Sequence, residues 1–213
     1  MAVAVQQQQR APPSAFPRPA GELNMIQKAN VSKKKQKIYT REVNLAEAAM
    51  VLVPEYVDWS EQSITFGRED HPPAVPRPGH AALVLEAQIG GYKMSKVFMD
   101  GGAGLNLIFT STLAKMQIPH GKVQESETQF HGVVPTAAVD PVGRISLNVT
   151  FGTEDNFRTE KLEFEVVDWP SQYHAILGRP AFTKFMAVPH YTYLKMKMPG
   201  NNGPPITVHG SFL

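Results

Sequence analysis

The chain has 213 residues, of which 42% are hydrophobic and 19% are charged, and its formal net charge is +2. This length allows one ordinary domain with flanking segments, and the 18 prolines and 16 glycines indicate long loops or extended flanks. There is no cysteine, which excludes disulfide bonds, thiol catalysis and thiolate metal sites and is typical of an intracellular protein, cytoplasmic or nuclear. No apolar stretch reaches the roughly 18–20 residues of a membrane span, so no membrane partner is expected.

The basic character of the chain is concentrated at its N-terminus. Residues 1–40 carry seven lysines and arginines and one glutamate, whereas the remainder carries 14 basic and 18 acidic residues. A glutamine run, several prolines and few aliphatic residues predict a disordered flank over 1–40, because such a segment buries too little apolar surface to offset its ordering entropy. A short basic cluster within it weakly suggests nucleic-acid binding or nuclear import, but a solvated run of charges is the favoured explanation because the cluster is short and lacks aromatic residues. The cluster consists of Lys33, Lys34, Lys35 and Lys37.

Residues 41–79 are predicted to contain a helix followed by an extended linker. Apolar residues at helical spacing between Arg41 and Val53 predict one amphipathic helix, which Pro54 ends. A short strand-like piece is expected over Val57–Phe66. The prolines of residues 72–78 then indicate an extended, polyproline-like linker that precedes the folded domain.

From residue 80 to residue 198 the pattern becomes rich in short strands. It predicts a mainly β fold, a small closed β-barrel or folded sheet with one or two short helices, followed by a loose tail over 199–213. Alternating apolar residues mark the clearest strands. The predicted strands are Ala81–Ile89, Tyr92–Met99, one that starts over Thr128–Gly132, Arg144–Phe151, Lys161–Val167, Tyr173–Gly178 and Tyr191–Met198. Gly90-Gly91 is predicted to be a hairpin turn, Thr110–Met116 a helix or turn, and Arg179 the start of a further helix.

One ionisable residue stands at the end of a buried strand. Three consecutive apolar residues precede Asp100, and Gly101, Gly102 and Ala103 follow it. A carboxylate in this position is costly unless its charge is hydrogen-bonded or shared. The glycines after it allow another backbone or a ligand to approach closely. Asp100 is therefore the first candidate for a functional residue.

Several other kinds of site have no support in the sequence. There is no G-x-G-x-x-G or G-x-x-x-x-G-K-[ST] phosphate loop and no G-x-S-x-G serine elbow. The seven histidines include no His-x-x-x-His pair, so no metal site is predicted. The methionines are interpreted as core or interface filling rather than as a cofactor site. No cofactor is expected.

The residues around Asp100 resemble the retropepsin-like aspartic proteases. Their signature is a buried apolar strand followed by Asp, Thr or Ser, Gly and a small residue, and later two aliphatic residues, Gly and a short helix. The corresponding segments here are Val97–Ala103, with Gly101 in the place of Thr or Ser, and Ile176–Pro180. A wider series, spanning residues 55–198, is similar to the protease region of gypsy-class LTR retrotransposon Gag-Pol polyproteins of plants. The series comprises Trp59-Ser60-Glu61, Ile64-Thr65-Phe66, Asp70-His71-Pro72, Pro78-Gly79-His80, Met99-Asp100-Gly101-Gly102, Val149–Thr153 and Tyr173–Pro180.

This resemblance implies a retropepsin-like fold that hydrolyses a polypeptide substrate, with Asp100 as the catalytic residue. In such a site two aspartates about 3 Å apart share one proton, the ionised one activating water and the protonated one polarising the peptide carbonyl. Because the domain contains a single Asp-Gly-Gly motif, the pair requires a homodimer with one Asp100 from each chain. The implied active-site loop is Gly101, Gly102 and Ala103; the implied supporting loop is Ile176, Leu177 and Gly178; the implied substrate-covering flap includes Gly132, Val133, Val134 and Pro135.

The sequence departs from the common pattern of these proteases at one position. Most members carry Thr or Ser directly after the aspartate, and its hydroxyl braces the two loops across the dimer, whereas Gly101 has no side chain. The alternative interpretation is therefore a catalytically inactive retropepsin-like module for dimerisation or protein binding, in a degenerate or domesticated fragment of a polyprotein. A third interpretation is a nucleic-acid-associated protein that acts through the basic cluster.

Overall fold

The computed structural model describes residues 62–74, 79–126, 128, 141–201 and 203–211. The predicted disordered flank, the helix over Arg41–Val53, the basic cluster and the flap residues lie outside the described residues. The same holds for most of the strand predicted to start over Thr128–Gly132. The domain boundaries proposed from the sequence stay predictions.

The described residues form a mainly β structure with two short α-helices, which confirms the predicted fold class. The strands are β1 (Val84–Ile89), β2 (Tyr92–Met99), β3 (Leu107–Phe109), β4 (Gly143–Gly152), β5 (Phe157–Val167), β6 (Ala175–Leu177), β7 (Val188–His190), β8 (Lys195–Met198) and β9 (Ile206–His209). The α-helices are α1 (Thr110–Lys115) and α2 (Arg179–Phe185), and 3-10 turns occupy Arg68–Asp70 and His120–Lys122.

Six strands close into a barrel in the order β1-β2-β6-β3-β5-β4, and the other three form a sheet in the order β7-β8-β9. The long β4–β5 hairpin pairs from Gly143 opposite Val166 to Gly152 opposite Phe157. β1 pairs with both β2 and β4, as barrel closure requires. The short strand β6 lies between β2, to which it is parallel, and β3, to which it is antiparallel. This insertion brings the end of β2 next to the end of β6.

The barrel interior is filled by the alternating apolar residues that the sequence shows. In β4, Ile145, Val149 and Phe151 are buried, and the intervening residues are exposed or half-buried. Fully burying an aliphatic or aromatic side chain contributes about 1.5–3 kcal/mol, so the core supplies most of the driving force for folding. The predicted hairpin turn is also confirmed: Ile89 pairs with Tyr92, and both glycines of the turn have positive φ, as a two-residue hairpin favours.

Some sequence predictions are wrong in detail. The sequence predicts a strand over Tyr191–Met198, but residues 191–194 form a turn, with Leu194 at a φ of 48°. No strand occurs in the described part of Val57–Phe66. The tail predicted to be loose contains β9, which pairs with β8 along its whole length. The last error has a physical cause, since a four-residue strand after two prolines offers too short an alternation to recognise.

The β3 strand was also missed by the sequence analysis. Its three residues are all buried, so no alternation of apolar and polar residues marks it. A short, continuous apolar run cannot be assigned from periodicity alone. Its partners, β5 and β6, come much later in the chain, and only the closed barrel makes the pairing visible.

Arg158 holds the C-terminal end of α2. Its guanidinium, 2% exposed, donates to the carboxylate of Glu160 and to the backbone carbonyls of Lys184 and Phe185, at distances of 2.7–2.9 Å. The last carbonyls of a helix have no partner within the helix, so an external donor stabilises them. Arg158 therefore connects β5 to α2 through buried polar contacts.

Replacing Arg158 with methionine should lower the free energy of unfolding by about 3 kcal/mol, because the carbonyls and Glu160 lose their buried donor. Urea denaturation followed by circular dichroism measures this. Arg144→Met is the matched control: its ion pair with Glu163 spans 3.9 Å between half-exposed side chains, and we expect a change below about 0.5 kcal/mol. Equal effects of the two substitutions would contradict the assigned role of Arg158.

Candidate active site

Asp100 directly follows β2 and lies against β6. Its backbone N–H donates to the carbonyl of Leu177 at 2.8 Å, continuing the parallel pairing in which Met99 faces Leu177. The residue is half-buried, whereas Gly101 and Gly102 are exposed. The structure thus brings the predicted active-site loop and the predicted supporting loop into direct contact.

The Asp100 side chain is oriented by its own loop. The N–H of Gly102 donates to Asp100 Oδ1 at 2.9 Å, and the N–H of Ala103 donates to the Asp100 carbonyl at 3.1 Å. Within the described residues, no hydrogen bond reaches Asp100 Oδ2. One carboxylate oxygen is therefore held in place, and the other is available to a water, a second carboxylate or a substrate.

Gly178 packs directly against the backbone that follows Asp100, which is possible because glycine has no side chain. A Cβ at Gly178 would overlap the Leu105 carbonyl oxygen and would lie 2.6 Å from the Ala103 carbonyl oxygen. The next residue, Arg179, donates its N–H to the Ala103 carbonyl and Nη1 to the Gly102 carbonyl, both at 2.9 Å. The start of α2 is thereby hydrogen-bonded to two consecutive residues of the Asp100 loop, Gly102 and Ala103.

Asn106 is a site residue that the sequence analysis missed. Its side chain accepts from the N–H of Gly178 at 3.0 Å and donates to the Glu163 carbonyl at 2.9 Å, and the residue is 3% exposed. Asn106 thus connects β3, β5 and the supporting loop. The available signal was a polar residue within an apolar run, between Leu105 and Leu107, because such a residue is buried only when its amide is satisfied.

His174, at the start of the supporting segment, has a structural role. Its Nδ1 accepts from the N–H of Lys96 at 3.3 Å, and its carbonyl accepts from Thr112 Oγ1 at 2.9 Å. Burial, assisted by the nearby charges of Lys115 and Lys96, lowers the pKa of His174 below its usual range. A neutral imidazole suits its role as an acceptor, and none of these contacts reaches Asp100.

A second polar cluster attaches residues 62–74 to β8. Asp70 accepts from Lys197 Nζ at 2.6 Å and from the N–H of Gly67 at 3.0 Å, and Lys195 lies 3.6 Å away. The hydrogen bond from Lys197, then that from Gly67, lowers the pKa of Asp70, and the charges of Lys197 and Lys195 add to this. Nearby, Phe66 packs on the ring of His190 with centroids 5.0 Å apart. The attachment was not predicted from the sequence.

Asp70→Asn should remove a pH-dependent part of the stability. Because the folded-state pKa of Asp70 is lowered, its contribution is complete above the usual carboxyl range of about 4 and disappears as the pH falls through the folded-state value. We expect the variant to have a lower Tm than the wild type at pH 7 and a smaller difference near pH 2. Asp155→Asn, at an exposed aspartate without an ion pair in the described residues, is the control. A Tm difference that is constant with pH would contradict the assignment.

A pocket of about 630 Å³ borders the segment that follows the Asp100 loop. Gly104, Leu105 and Asn106 form one side of it, and Glu163 and Glu165 of β5 form another. Glu165 is 6% exposed, and its Oε2 is buried without a hydrogen-bond partner. Asp100 does not line this pocket, so the pocket is separate from the candidate reacting group.

The described ranges contain neither a metal-binding cluster nor a membrane-spanning helix. No group of three or more histidine, aspartate or glutamate side chains there could hold a metal ion. None of the described helices is both long and apolar enough to cross a bilayer.

The chain is similar to several solved structures. No protein family and no curated protein sequence matches the chain. The retroviral protease-like domain of Ddi1 from Leishmania major is 14% identical with a TM-score of 0.45, over 62% of this chain and 94% of that one. A retropepsin-like aspartic protease from Rickettsia conorii is 14% identical with a TM-score of 0.41, over 58% and 83% of the two chains. EIAV protease, in complex with the inhibitor HBY-793, is 22% identical with a TM-score of 0.37, over 51% and 92%.

Proposed function

We propose that the chain is an aspartic endopeptidase of a retrotransposon Gag-Pol polyprotein, in which the Asp100 carboxylates of two identical chains activate one water. The observation that carries this proposal is the Asp100 loop itself. A carboxylate follows a buried strand, one of its oxygens is held by a backbone N–H, and exposed glycines surround it. The retrotransposon context rests on the ordered series of sequence motifs between residues 55 and 198.

The chemistry follows from two carboxylates that share one proton. The ionised carboxylate takes a proton from water, and the water oxygen attacks the peptide carbonyl carbon, while the protonated carboxylate donates to the carbonyl oxygen. The carboxyl that took the proton from water gives it to the amide nitrogen, and the C–N bond breaks to release the amine. The protonated carbonyl oxygen of the intermediate returns its proton to the other carboxylate as the C=O bond reforms, so the pair again shares one proton. Gly101 and Gly102 are exposed, so an extended polypeptide can approach the backbone of this loop from solvent.

The second carboxylate is assigned to a partner chain because, among the other aspartates of the described residues, Asp70 and Asp168 are engaged elsewhere and Asp155 lies in the exposed β4–β5 turn without a following glycine. Asp168 accepts from Thr110 Oγ1 at 2.5 Å, and Asp70 is bound by lysines of β8. Neither is followed by glycines. A two-fold dimer presents the same surface of both chains to each other, so two Asp100 loops can face across the axis. In the proposed enzyme, the flap over Gly132–Pro135 covers the substrate.

The proposal is tested by incubating the purified chain with an unstructured polypeptide at about pH 5, with and without pepstatin, after its mass has been measured by analytical ultracentrifugation. We expect pepstatin-sensitive cleavage that rises with the dimer fraction. A dimeric chain that does not cleave would instead favour the inactive dimerisation or protein-binding module. The observation that favours this alternative is the absence of a hydroxyl at position 101.

A further inference from the structure

The space beside Gly101 is occupied by a tyrosine hydroxyl. A Cβ built on Gly101 would lie 3.3 Å from Tyr191 Oη, and no other atom of the described residues outside the neighbouring chain lies within 4 Å of that position. This distance is shorter than an ordinary van der Waals contact, so a side chain at position 101 would crowd the Tyr191 hydroxyl unless the tyrosine shifted. The polar group next to the Asp100 loop thus comes from a different part of the chain.

The Tyr191 hydroxyl is free to make a hydrogen bond. The side chain is 44% exposed, and among the described residues no group bonds to its hydroxyl. A phenol hydroxyl offers one donor and accepts as well. Among the described residues the hydroxyl thus has no partner, and it is available to solvent or to another molecule that approaches the Asp100 loop.

The turn that carries Tyr191 is well supported. Tyr191 begins the turn over residues 191–194, between β7 and β8. The rings of His190 and Tyr193 stack with centroids 3.9 Å apart, and the N–H of Tyr193 donates to His190 Nδ1 at 3.1 Å. Phe66 packs on both rings. The phenol is therefore presented by an ordered turn rather than by a loose loop.

We propose that Tyr191 is a positioning residue that supplies, from the β7–β8 turn, the hydroxyl that position 101 lacks. It donates to a backbone carbonyl of the partner subunit's Asp100 loop and so braces the two loops across the dimer axis. Two carboxylates can be kept about 3 Å apart only if their loops are held to within a fraction of an ångström, and two exposed glycines do not provide that restraint. The inference rests on the proposed function because it requires the same dimer.

The test is a double-mutant cycle on dimerisation with Tyr191→Phe and Gly101→Ser. Tyr191→Phe removes two symmetric hydrogen bonds per dimer, so the dissociation constant should rise about tenfold. Gly101→Ser alone should also weaken the dimer, because its Cβ would crowd the phenol. In the double variant the serine hydroxyl should take over the bracing role, and the dissociation constant should return to within about threefold of the wild type.

Tyr92→Phe is the matched control, because Tyr92 is 45% exposed and begins β2, at the opposite end of that strand from Asp100. It should leave the dissociation constant unchanged. The Tm of each variant, measured on the monomer, should also equal that of the wild-type monomer. An unchanged Tm separates a positioning role of Tyr191 from a structural one. An effect of Tyr191→Phe no larger than that of Tyr92→Phe, additive effects in the cycle, or a change confined to KM would each overturn the proposal.

The two proposals fail in distinguishable ways. If the double-mutant cycle gives the expected dissociation constants but the chain cleaves no peptide, the role of Tyr191 is supported and the endopeptidase proposal is contradicted. Cleavage by a dimer that is insensitive to Tyr191→Phe supports the endopeptidase and overturns the role of Tyr191. A wild-type chain that remains monomeric at millimolar concentration overturns both.

Discussion

Replacing Asp100 with asparagine should reduce kcat for peptide cleavage by at least about a thousandfold. Asparagine has nearly the same shape, and its amide oxygen can still accept from the N–H of Gly102, so the loop should keep its conformation. The amide cannot take a proton from water, and the pair loses the carboxylate that activates the nucleophile. Initial rates on an unstructured polypeptide measure the loss, and an unchanged Tm shows that the fold is intact.

Mixing the two forms of the chain tests whether the site is shared. If each active site needs Asp100 from both chains, random pairing of equal amounts leaves about one quarter of the dimers wild type. The activity of a fixed amount of wild-type chain should then fall by about half when an equal amount of Asp100→Asn is added. Adding the exposed variant Asp155→Asn instead should not lower it. Full activity in the presence of excess Asp100→Asn would mean that the site lies within one chain.

Gly178→Ala should be the most damaging single-methyl substitution near the site. The added Cβ would meet the carbonyl oxygens of Leu105 and Ala103, both backbone atoms that cannot rotate away. The backbone of Gly178 has a φ of −95°, which alanine adopts readily, so the effect is steric rather than conformational. We expect a loss of about 3 kcal/mol in the free energy of unfolding. Cleavage should fall with it, because the Asp100 loop is displaced from β6.

The matched control for Gly178→Ala is Gly121→Ala. Gly121 lies in the 3-10 turn His120–Lys122, and a Cβ there has no neighbour within 4 Å. Its effect on stability should be below about 0.5 kcal/mol. Urea denaturation of both variants measures the difference. If Gly178→Ala unfolds at the same urea concentration as Gly121→Ala, then the Asp100 loop does not depend on close contact with the supporting segment.

Much of the barrel could be predicted because its strands carry their own signals. β4 and β5 are long enough to show apolar alternation over several residues, and the β1–β2 turn is a Gly-Gly pair. β3 could not be predicted because it is short and wholly buried, and β9 because it is short and follows two prolines. β3 exists because strands much later in the chain satisfy its backbone hydrogen bonds, and β9 exists because the preceding strand, β8, satisfies its own.

The candidate site also combines features that the local sequence predicts with features that depend on long-range contacts. Local chemistry identified Asp100, because a carboxylate between a buried strand and a run of glycines is visible in neighbouring residues. The supporting loop was assigned by resemblance, and its contact with Asp100 depends on the insertion of β6 between β2 and β3. Asn106 was missed because its burial and its bonds to β5 and Gly178 are long-range properties.

By itself, the amino-acid sequence determined that this chain is mainly β and that Asp100 is its best candidate for chemistry. Both conclusions depend on periodicity and on residues next to one another. Only the tertiary structure decided what surrounds that carboxylate: Gly178 pressed against two carbonyls, and the Tyr191 hydroxyl beside Gly101. These contacts join segments far apart in the chain, and packing in three dimensions selects them without leaving a local pattern.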